Sequence, residues 1–255
     1  MKNKKESRKS IIGDSILAVL DYIYRIVMLN LLIIIPAFFP VVIYSWFTKG
    51  NENPSEWIIY LTLLPALVYL FPSIVSAVDV FRMYNEKTTK GVFKEFFKSF
   101  KKHFLKSFII SIIIVVSLII LTFQITLKNG MIISGPLIYF FNNIDDLLSL
   151  CGLFLTISFI ILGVFITVHL PLVMVYFENL NLWQYFKLAF IMAFRKMGLT
   201  LVMLLIVIVF IIVDLCFSVL MFILGISLPL YFLVKLSFKE YIKIYRKVEG
   251  RENEN

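Results

Sequence analysis

"LTLVMLLIVIVFIIVDLCFSVLMFILGISLPLYFLV", residues 199–234, contains one charged side chain, Asp214. Apolar runs of about 18 or more residues are typical of transmembrane helices. A single helix over residues 198–236 would be about 58 Å long, nearly twice the roughly 30 Å hydrocarbon core of a bilayer. The stretch therefore predicts two membrane spans that fold back on each other, with Asp214 at the turn.

The rest of the chain has the same apolar character. Of its 255 residues, 60% are hydrophobic and 16% are charged, against about 45–50% and about 25% in globular proteins. We predict an all-α fold, a polytopic membrane helical bundle that forms one domain over residues 1–255. The six predicted transmembrane helices cover residues 26–48, 57–79, 107–127, 147–176, 198–215 and 217–236.

The distribution of lysine and arginine predicts the orientation. Of the 25 basic residues, 23 fall in the N-terminal segment, in the loops after spans two and four, and in the C-terminal segment. Basic residues are retained on the cytoplasmic side of a membrane, so both termini are predicted to be cytoplasmic. The net charge of +9 is then an orientation signal and an attraction to anionic lipid head groups. It does not indicate a nucleic-acid partner.

One segment between spans two and three is both aromatic and basic. "GVFKEFFKSFKKHFLK", residues 91–106, places its other phenylalanines within about 60° of Phe93 on a helical wheel. Such a helix is predicted to lie in the membrane interface, with rings in the acyl boundary and lysines at lipid phosphates. The predicted lipid-interface residues here are Phe93, Phe96, Phe97, Phe100, Phe104, Lys94, Lys98, Lys101 and Lys102.

The same pattern recurs further along the chain. "NLWQYFKLAFIMAFRK", residues 181–196, aligns on residues 91–106 without a gap. It predicts a second interfacial helix, with Asn181 as its N-cap and with three further lipid-interface residues, Trp183, Phe186 and Phe190. The predicted architecture is three hairpins joined by amphipathic interfacial helices. Hairpin one covers 26–79, hairpin two 107–176 and hairpin three 198–236, and a cytoplasmic tail covers 237–255.

Motifs that carry enzyme chemistry are missing from the sequence. It contains no glycine-rich phosphate loop, no nucleophile elbow and no paired carboxylates at membrane depth. Its two histidines have no partner at metal-ligand spacing. We therefore expect a protein that is not an enzyme and that has no catalytic residue, no metal and no cofactor.

Four polar residues near or within the predicted spans are functional candidates, because such residues are rare in membranes. Asp79 is read as an interfacial residue beside a nearby arginine, and His169 as a hydrogen-bond partner of a neighbouring helix. Asp214 is either an outer-turn residue or a coupling carboxylate. Asn30 either joins two helices by hydrogen bonding or belongs to a crevice in the first span.

Three stretches resemble a known family. "YRIVMLNLLIIIPAFFPVVIYSW" (24–46), "FFKSFKKHFLKSF" (96–108) and "LPLVMVYFENLNLWQYFKLAFIMAFRKMGLTLVMLL" (170–205) are similar to segments of YesL-like proteins. These are bacterial integral membrane proteins of unknown function, and their genes often lie beside carbohydrate uptake systems and sensor kinases. The resemblance implies a multi-pass protein of the bacterial cytoplasmic membrane with an accessory role near sugar import.

The expected function is therefore that of a non-enzymatic accessory membrane protein. Its expected partners are membrane lipids with anionic head groups, and a carbohydrate ABC permease or a sensor kinase. A small secondary transporter or channel is one alternative, because repeated membrane architecture suits transport. A lipid or envelope-stress sensor that acts through the aromatic helices is another. The sequence predicts neither a substrate nor an oligomeric state.

Overall fold

The computed structural model describes residues 19–35, 56–86, 91–129 and 147–248, together with Thr88 and some positions between residues 38 and 49. Helices account for nearly all of this part of the chain, and no strand occurs in it. Helix α1 covers residues 19–35. The later helices are α2 Glu56–Asn85, α3 Val92–Asn129, α4 Leu147–Tyr176, α5 Leu182–Arg195, α6 Met197–Cys216 and α7 Ser227–Val248.

Three of the described helical segments are long and apolar enough to cross a membrane. They are Phe154–Tyr176, Met197–Cys216 and Phe222–Arg246. The all-helical fold is thus confirmed, and three apolar helices of this length are typical of a membrane protein. Six spans and cytoplasmic termini remain predictions.

The final apolar run folds back as predicted. Helix α6 ends at Cys216, and a helical turn, Ser218–Leu220, and a π-helical turn, Met221–Gly225, lead into α7. A Cβ atom at Gly225 would lie 2.8 Å from Oδ2 of Asp214, so the returning chain passes directly beside that carboxylate. Asp214 itself lies in the last turn of α6, and the reversal follows it.

The sequence predicts an interfacial helix, 91–106, that is separate from a span, 107–127, but the structure joins them. Helix α3 runs without interruption from Val92 to Asn129. Sharp kinks in helices arise at proline, glycine or π turns, and α3 contains no proline and no glycine. The aromatic segment therefore continues the path of the predicted span and is not a separate helix.

The second amphipathic segment is a separate helix, as predicted. Lys196 alone divides α5 from α6, with φ −117° and ψ 44°. Asn181 is the N-cap residue of α5, and its backbone N–H donates to Oε1 of Gln184 at 2.9 Å. Within the predicted tail, 237–255, α7 continues as a helix to Val248. Its last turns bury Ser237 and Tyr241 and remain packed on the bundle.

Helices α2 and α4 each have 30 residues and each pack against the helix that follows. The ring of Tyr69 in α2 lies 6.2 Å from Phe104 in α3, and Phe165 in α4 lies 6.4 Å from Phe194 in α5. Phe104 and Phe194 are aligned positions of the sequence repeat. The repeat is thus visible in helix lengths and in packing.

The core lies around the C-terminal end of α4. Residues 169–177 are all buried, as expected of a helix end enclosed on every side. Helices α2, α5 and α7 supply the surrounding side chains. The other half of α4 exposes large apolar side chains, including Phe154 and Phe159. This difference divides the bundle into a packed polar end, described next, and an apolar half suited to lipid.

Candidate functional site

A buried carboxylate, Asp79, lies at the centre of the polar end of the bundle. Its Oδ1 pairs with Nη2 of Arg82 at 2.8 Å, and its Oδ2 accepts a hydrogen bond from Oγ of Ser99 at 2.7 Å. Nε2 of His103 lies 3.6 Å from Oδ2, which is an electrostatic contact and too long for a hydrogen bond. The predicted arginine neighbour is confirmed, and two residues of α3 complete the surroundings of Asp79.

Arg82 links this carboxylate to the second helix pair. Its Nη1 donates to the backbone oxygen of Val175 at 2.8 Å, and its Nη2 lies 3.6 Å from Oε1 of Glu178. Glu178 also pairs with Lys102 of α3. One network of charges therefore joins α2, α3 and the segment after α4. It contains two carboxylates and two cations, and it restricts the movement of these elements relative to one another.

Lys106 extends this network to the connection between α4 and α5. Its Nζ donates to the backbone oxygens of Glu178, at 2.9 Å, and Leu180, at 3.1 Å. The hydroxyl of Tyr185 donates to the same oxygen of Glu178 at 2.8 Å. Burial raises the pKa of Tyr185 to about 12, so this phenol stays a donor. Lys106 thus binds backbone carbonyl groups of the connection that follows α4.

His169 forms a second polar cluster, between α4, α6 and α7. Its Nδ1 lies 2.8 Å from the hydroxyl of Tyr241, and its Nε2 lies 2.9 Å from Oγ1 of Thr200. The hydroxyl of Thr200 donates its single proton to the backbone oxygens of Ala193 and Lys196. We therefore assign the neutral tautomer in which Nε2–H donates to Thr200 and Nδ1 accepts from Tyr241. The predicted role, bonding to neighbouring helices, is confirmed.

Asn30 is buried and connects α1 to the start of α7. Its Nδ2 donates to the backbone oxygen of Phe222 at 2.8 Å. Its Oδ1 accepts from the backbone N–H groups of Ile226, at 2.9 Å, and Ser227, at 3.1 Å. The predicted helix-joining role is confirmed.

Asp214 differs from the other three candidates, because it lies half-buried beside Gly225, away from the clusters of Asp79 and His169.

The aromatic residues of α3 form a ladder of ring contacts. Consecutive ring centroids along Phe96, Phe100, Phe104 and Phe108 are 5.3 to 6.1 Å apart. One expectation is wrong: Phe96 is only 2% exposed and packs in the core, so it cannot face lipid. Its wheel position lies toward α2, at the edge of the stripe.

The outward side of α5 is aromatic as well. Trp183 is 79% exposed, and Phe190 and Phe194 are also exposed, whereas Phe186 is half-buried against the core. Phe194 touches Phe165 of α4, so the aromatic side of α5 continues the exposed apolar surface of that helix. The lysines predicted at the interface, Lys94, Lys98, Lys101 and Lys102, are all exposed on α3.

Sequence reasoning missed Glu178, Ser99, Thr200 and Tyr241 as partners of the buried polar groups. One signal was present: the shift of 90 residues that aligns residues 91–106 with 181–196 also aligns Asp79 with His169. It marks two equivalent buried positions, although it does not reveal the partners. In the described residues, no group of three or more histidine, cysteine, aspartate or glutamate side chains is placed to hold a metal ion.

Residues 18–125 match the family model described as "Protein of unknown function, DUF624". The match covers less than half of the chain and includes Asn30, Asp79 and the aromatic ladder of α3. No curated protein and no solved structure matches the chain.

Proposed function

We propose that this chain is a non-enzymatic accessory protein of the bacterial cell membrane, related to the YesL-like proteins. Its polar end lies on the cytoplasmic side, together with both termini. There it contacts lipid and a membrane protein partner, a carbohydrate ABC permease or a sensor kinase, and it alters the activity or abundance of that partner. The similarity of residues 18–125 to DUF624 is consistent with the YesL-like resemblance.

The observation that carries this proposal is the exposed aromatic and cationic surface at the polar end. Trp183 and Phe190 on α5, and Phe93 and Phe97 on α3, are exposed beside exposed lysines. Aromatic side chains dominate the energy of many interfaces. Ser99 joins α3 to Asp79 of α2, and Lys106 joins α3 to the connection that leads into α5, so the surface is presented on a rigid support.

The buried polar groups support an accessory role over transport. Asn30, Asp79 and His169 each bind groups on other helices, as expected of residues that hold a bundle together. A coupled transporter requires polar groups that exchange partners during its cycle. Asp214 is the candidate best placed for such a role, so it is the natural test position.

The outward side of α5 is proposed to contact lipid, because it continues the exposed apolar surface of α4. Tryptophan is enriched at the membrane–water interface, and Trp183 would fix the depth of this helix. Replacement of Trp183 and Phe186 by alanine should therefore impair the physiological phenotype, through the position of the partner surface.

The decisive experiment compares activity alone with activity on a partner. Purified protein in proteoliposomes should give no ion or sugar flux, and tagged protein from native membranes should co-purify with a permease or kinase whose activity changes on deletion. With folded protein levels matched, Asp214→Asn and His169→Ala should leave the phenotype largely intact. Saturable, substrate-specific flux that Asp214→Asn abolishes would establish a transporter instead.

A further inference from the structure

The N-terminal half of α3 is held firmly against the end of α2. Val92 and Phe96 are buried, and Phe81 of α2 belongs to the same core. Ser99 donates to the buried Asp79 at 2.7 Å. These contacts, with the continuous helix, fix residues 92–105 along the direction of the predicted span, so this segment cannot lie down on the membrane surface without unpacking.

The length of α3 places its first turns beyond the lipid. Between Lys106 and Lys128 the sequence carries no charge, and this stretch of about 32 Å matches the roughly 30 Å hydrocarbon core. Phe93 precedes Lys106 by 13 residues, or about 20 Å along an untilted helix. At a tilt of about 40° the 35 residues from Phe93 to Lys128 still span about 40 Å, which leaves Phe93 about 10 Å beyond a roughly 30 Å core. The head-group layer is only about 5–7 Å thick on each side.

Phe93 and Phe97 are nevertheless exposed, at 58% and 49%, and their rings touch at 4.8 Å. Lys94, Lys98 and Lys101 are exposed beside them. An apolar pair in contact with water, flanked by cations, is complementary to an amphipathic segment that carries carboxylates. Lipids also combine apolar chains with anionic groups, but the acyl chains end well short of Phe93.

We propose that this face of α3 is a docking site for an acidic amphipathic helix of a partner protein. The inference deepens the proposed accessory function, on which it rests for the existence of a partner. Phe93 and Phe97 receive apolar side chains of the partner helix, and its carboxylates meet Lys94, Lys98 and Lys101. The outward side of α5, in contrast, contacts lipid.

The first test measures depth in lipid alone. Single spin labels at Phe93, Phe97 and Trp183 in phosphatidylcholine nanodiscs report their accessibility to oxygen and to a water-soluble nickel chelate. Labels at Phe93 and Phe97 should be accessible to the chelate, and the label at Trp183 should be more accessible to oxygen than to the chelate. Acyl-chain depth at Phe93 would overturn the proposal and restore the interfacial reading of α3.

The second test uses a synthetic helical peptide with leucines on one face and glutamates on the flanking positions. It should bind the protein in neutral nanodiscs, and a peptide with lysines in place of the glutamates should not. Phe93→Ala with Phe97→Ala, or Lys94→Glu with Lys98→Glu, should each weaken binding at least about tenfold, or 1.4 kcal/mol. Trp183→Ala is the matched control and should bind normally, and an unchanged thermal midpoint should show that each variant is folded.

Absence of binding, or equal binding by all variants, would overturn the docking site. That result is separable from failure of the accessory function, which is measured by flux and co-purification. Persistent co-purification of a partner by the Phe93→Ala, Phe97→Ala variant would place the partner contact elsewhere on the protein.

Discussion

Asn30 shows how much a single side chain contributes to this bundle. Helix α7 begins after a π turn, where the backbone departs from the regular α-helical hydrogen-bond pattern. Asn30 accepts from the N–H groups of Ile226 and Ser227 and donates to Phe222. One amide therefore satisfies three backbone groups and joins the first described helix to the last.

We expect Asn30→Ala to lower the free energy of unfolding in detergent by about 2 kcal/mol, because it removes the hydrogen bonds to three backbone groups of another segment. Ser158→Ala is the control, since that exposed hydroxyl bonds only within its own helix. Denaturant titration followed by circular dichroism measures both variants. Equal stability of Asn30→Ala and the wild type would show that Asn30 does not hold α7.

Arg82 is expected to be the most sensitive cation of the polar end. Arg82→Gln leaves the carboxylate of Asp79 buried without its charge partner, at a cost of about 3 kcal/mol. Combining it with Asp79→Asn should recover much of this loss, because the uncompensated charge is removed. Glu240→Gln breaks a half-buried pair with Lys196 at the surface and should cost less than about 1 kcal/mol. An Arg82→Gln loss no larger than that of Glu240→Gln would contradict the buried network.

At the scale of elements, the two copies of the sequence repeat, α3 and the α5–α6 pair, differ in the continuity of the helix. The two segments align, yet α3 is continuous and the second is divided at Lys196. Gly198, which follows the break, aligns with Phe108 of α3. Glycine weakens a helix by about 1 kcal/mol relative to alanine, so the sequence favours an interruption in the second copy and continuity in the first.

The continuity of α3 predicts a distance. Spin labels at Lys94 and Val116, both exposed positions, should lie about 33 Å apart along an unbroken helix. An interfacial helix turned at a right angle near Lys106 would give about 23 Å between the same backbone positions. Double electron–electron resonance distinguishes the two values. A pair at Phe154 and Thr167, within α4, calibrates the label contribution at about 20 Å.

Gly198→Ala should raise stability. A Cβ atom there would meet no atom within 4 Å, and alanine reduces the freedom of the unfolded chain, so a gain of about 0.5–1 kcal/mol is expected. The thermal midpoint in detergent measures the change. A loss of stability would mean that the break at Lys196 depends on glycine for its backbone geometry.

At the scale of the whole molecule, the polar and apolar halves of the bundle predict its placement in a membrane. Cysteines introduced singly at Asn53 and Asn142 should react with an impermeant reagent from outside the cell, and those at Lys87, Gln184 and Glu252 should not. Of these positions, only Gln184 lies within the described residues. External labelling at Glu252 alone would contradict the six-span topology, and lysed cells provide the control for reactivity.

The sequence by itself determined the helical class, the membrane-type segments, the fold-back after Asp214 and the two aromatic, basic repeats. These features follow from composition and from helical periodicity, which act over a few turns and need no knowledge of distant contacts. The joining role of Asn30 and the hydrogen bonding of His169 were also predictable in kind. A polar group within an apolar run must find a partner on a neighbouring helix.

Only the tertiary structure decided which partners these groups find and which way each helix face points. Asp79 meets Ser99, and Glu178 meets Arg82 and Lys102, because packing brings together segments far apart in sequence. Phe96 belongs to the aromatic stripe by periodicity, yet contact with α2 places it in the core. The direction of residues 92–105 relative to α2 was decided in the same way, because α3 is continuous and its Ser99 bonds the buried Asp79.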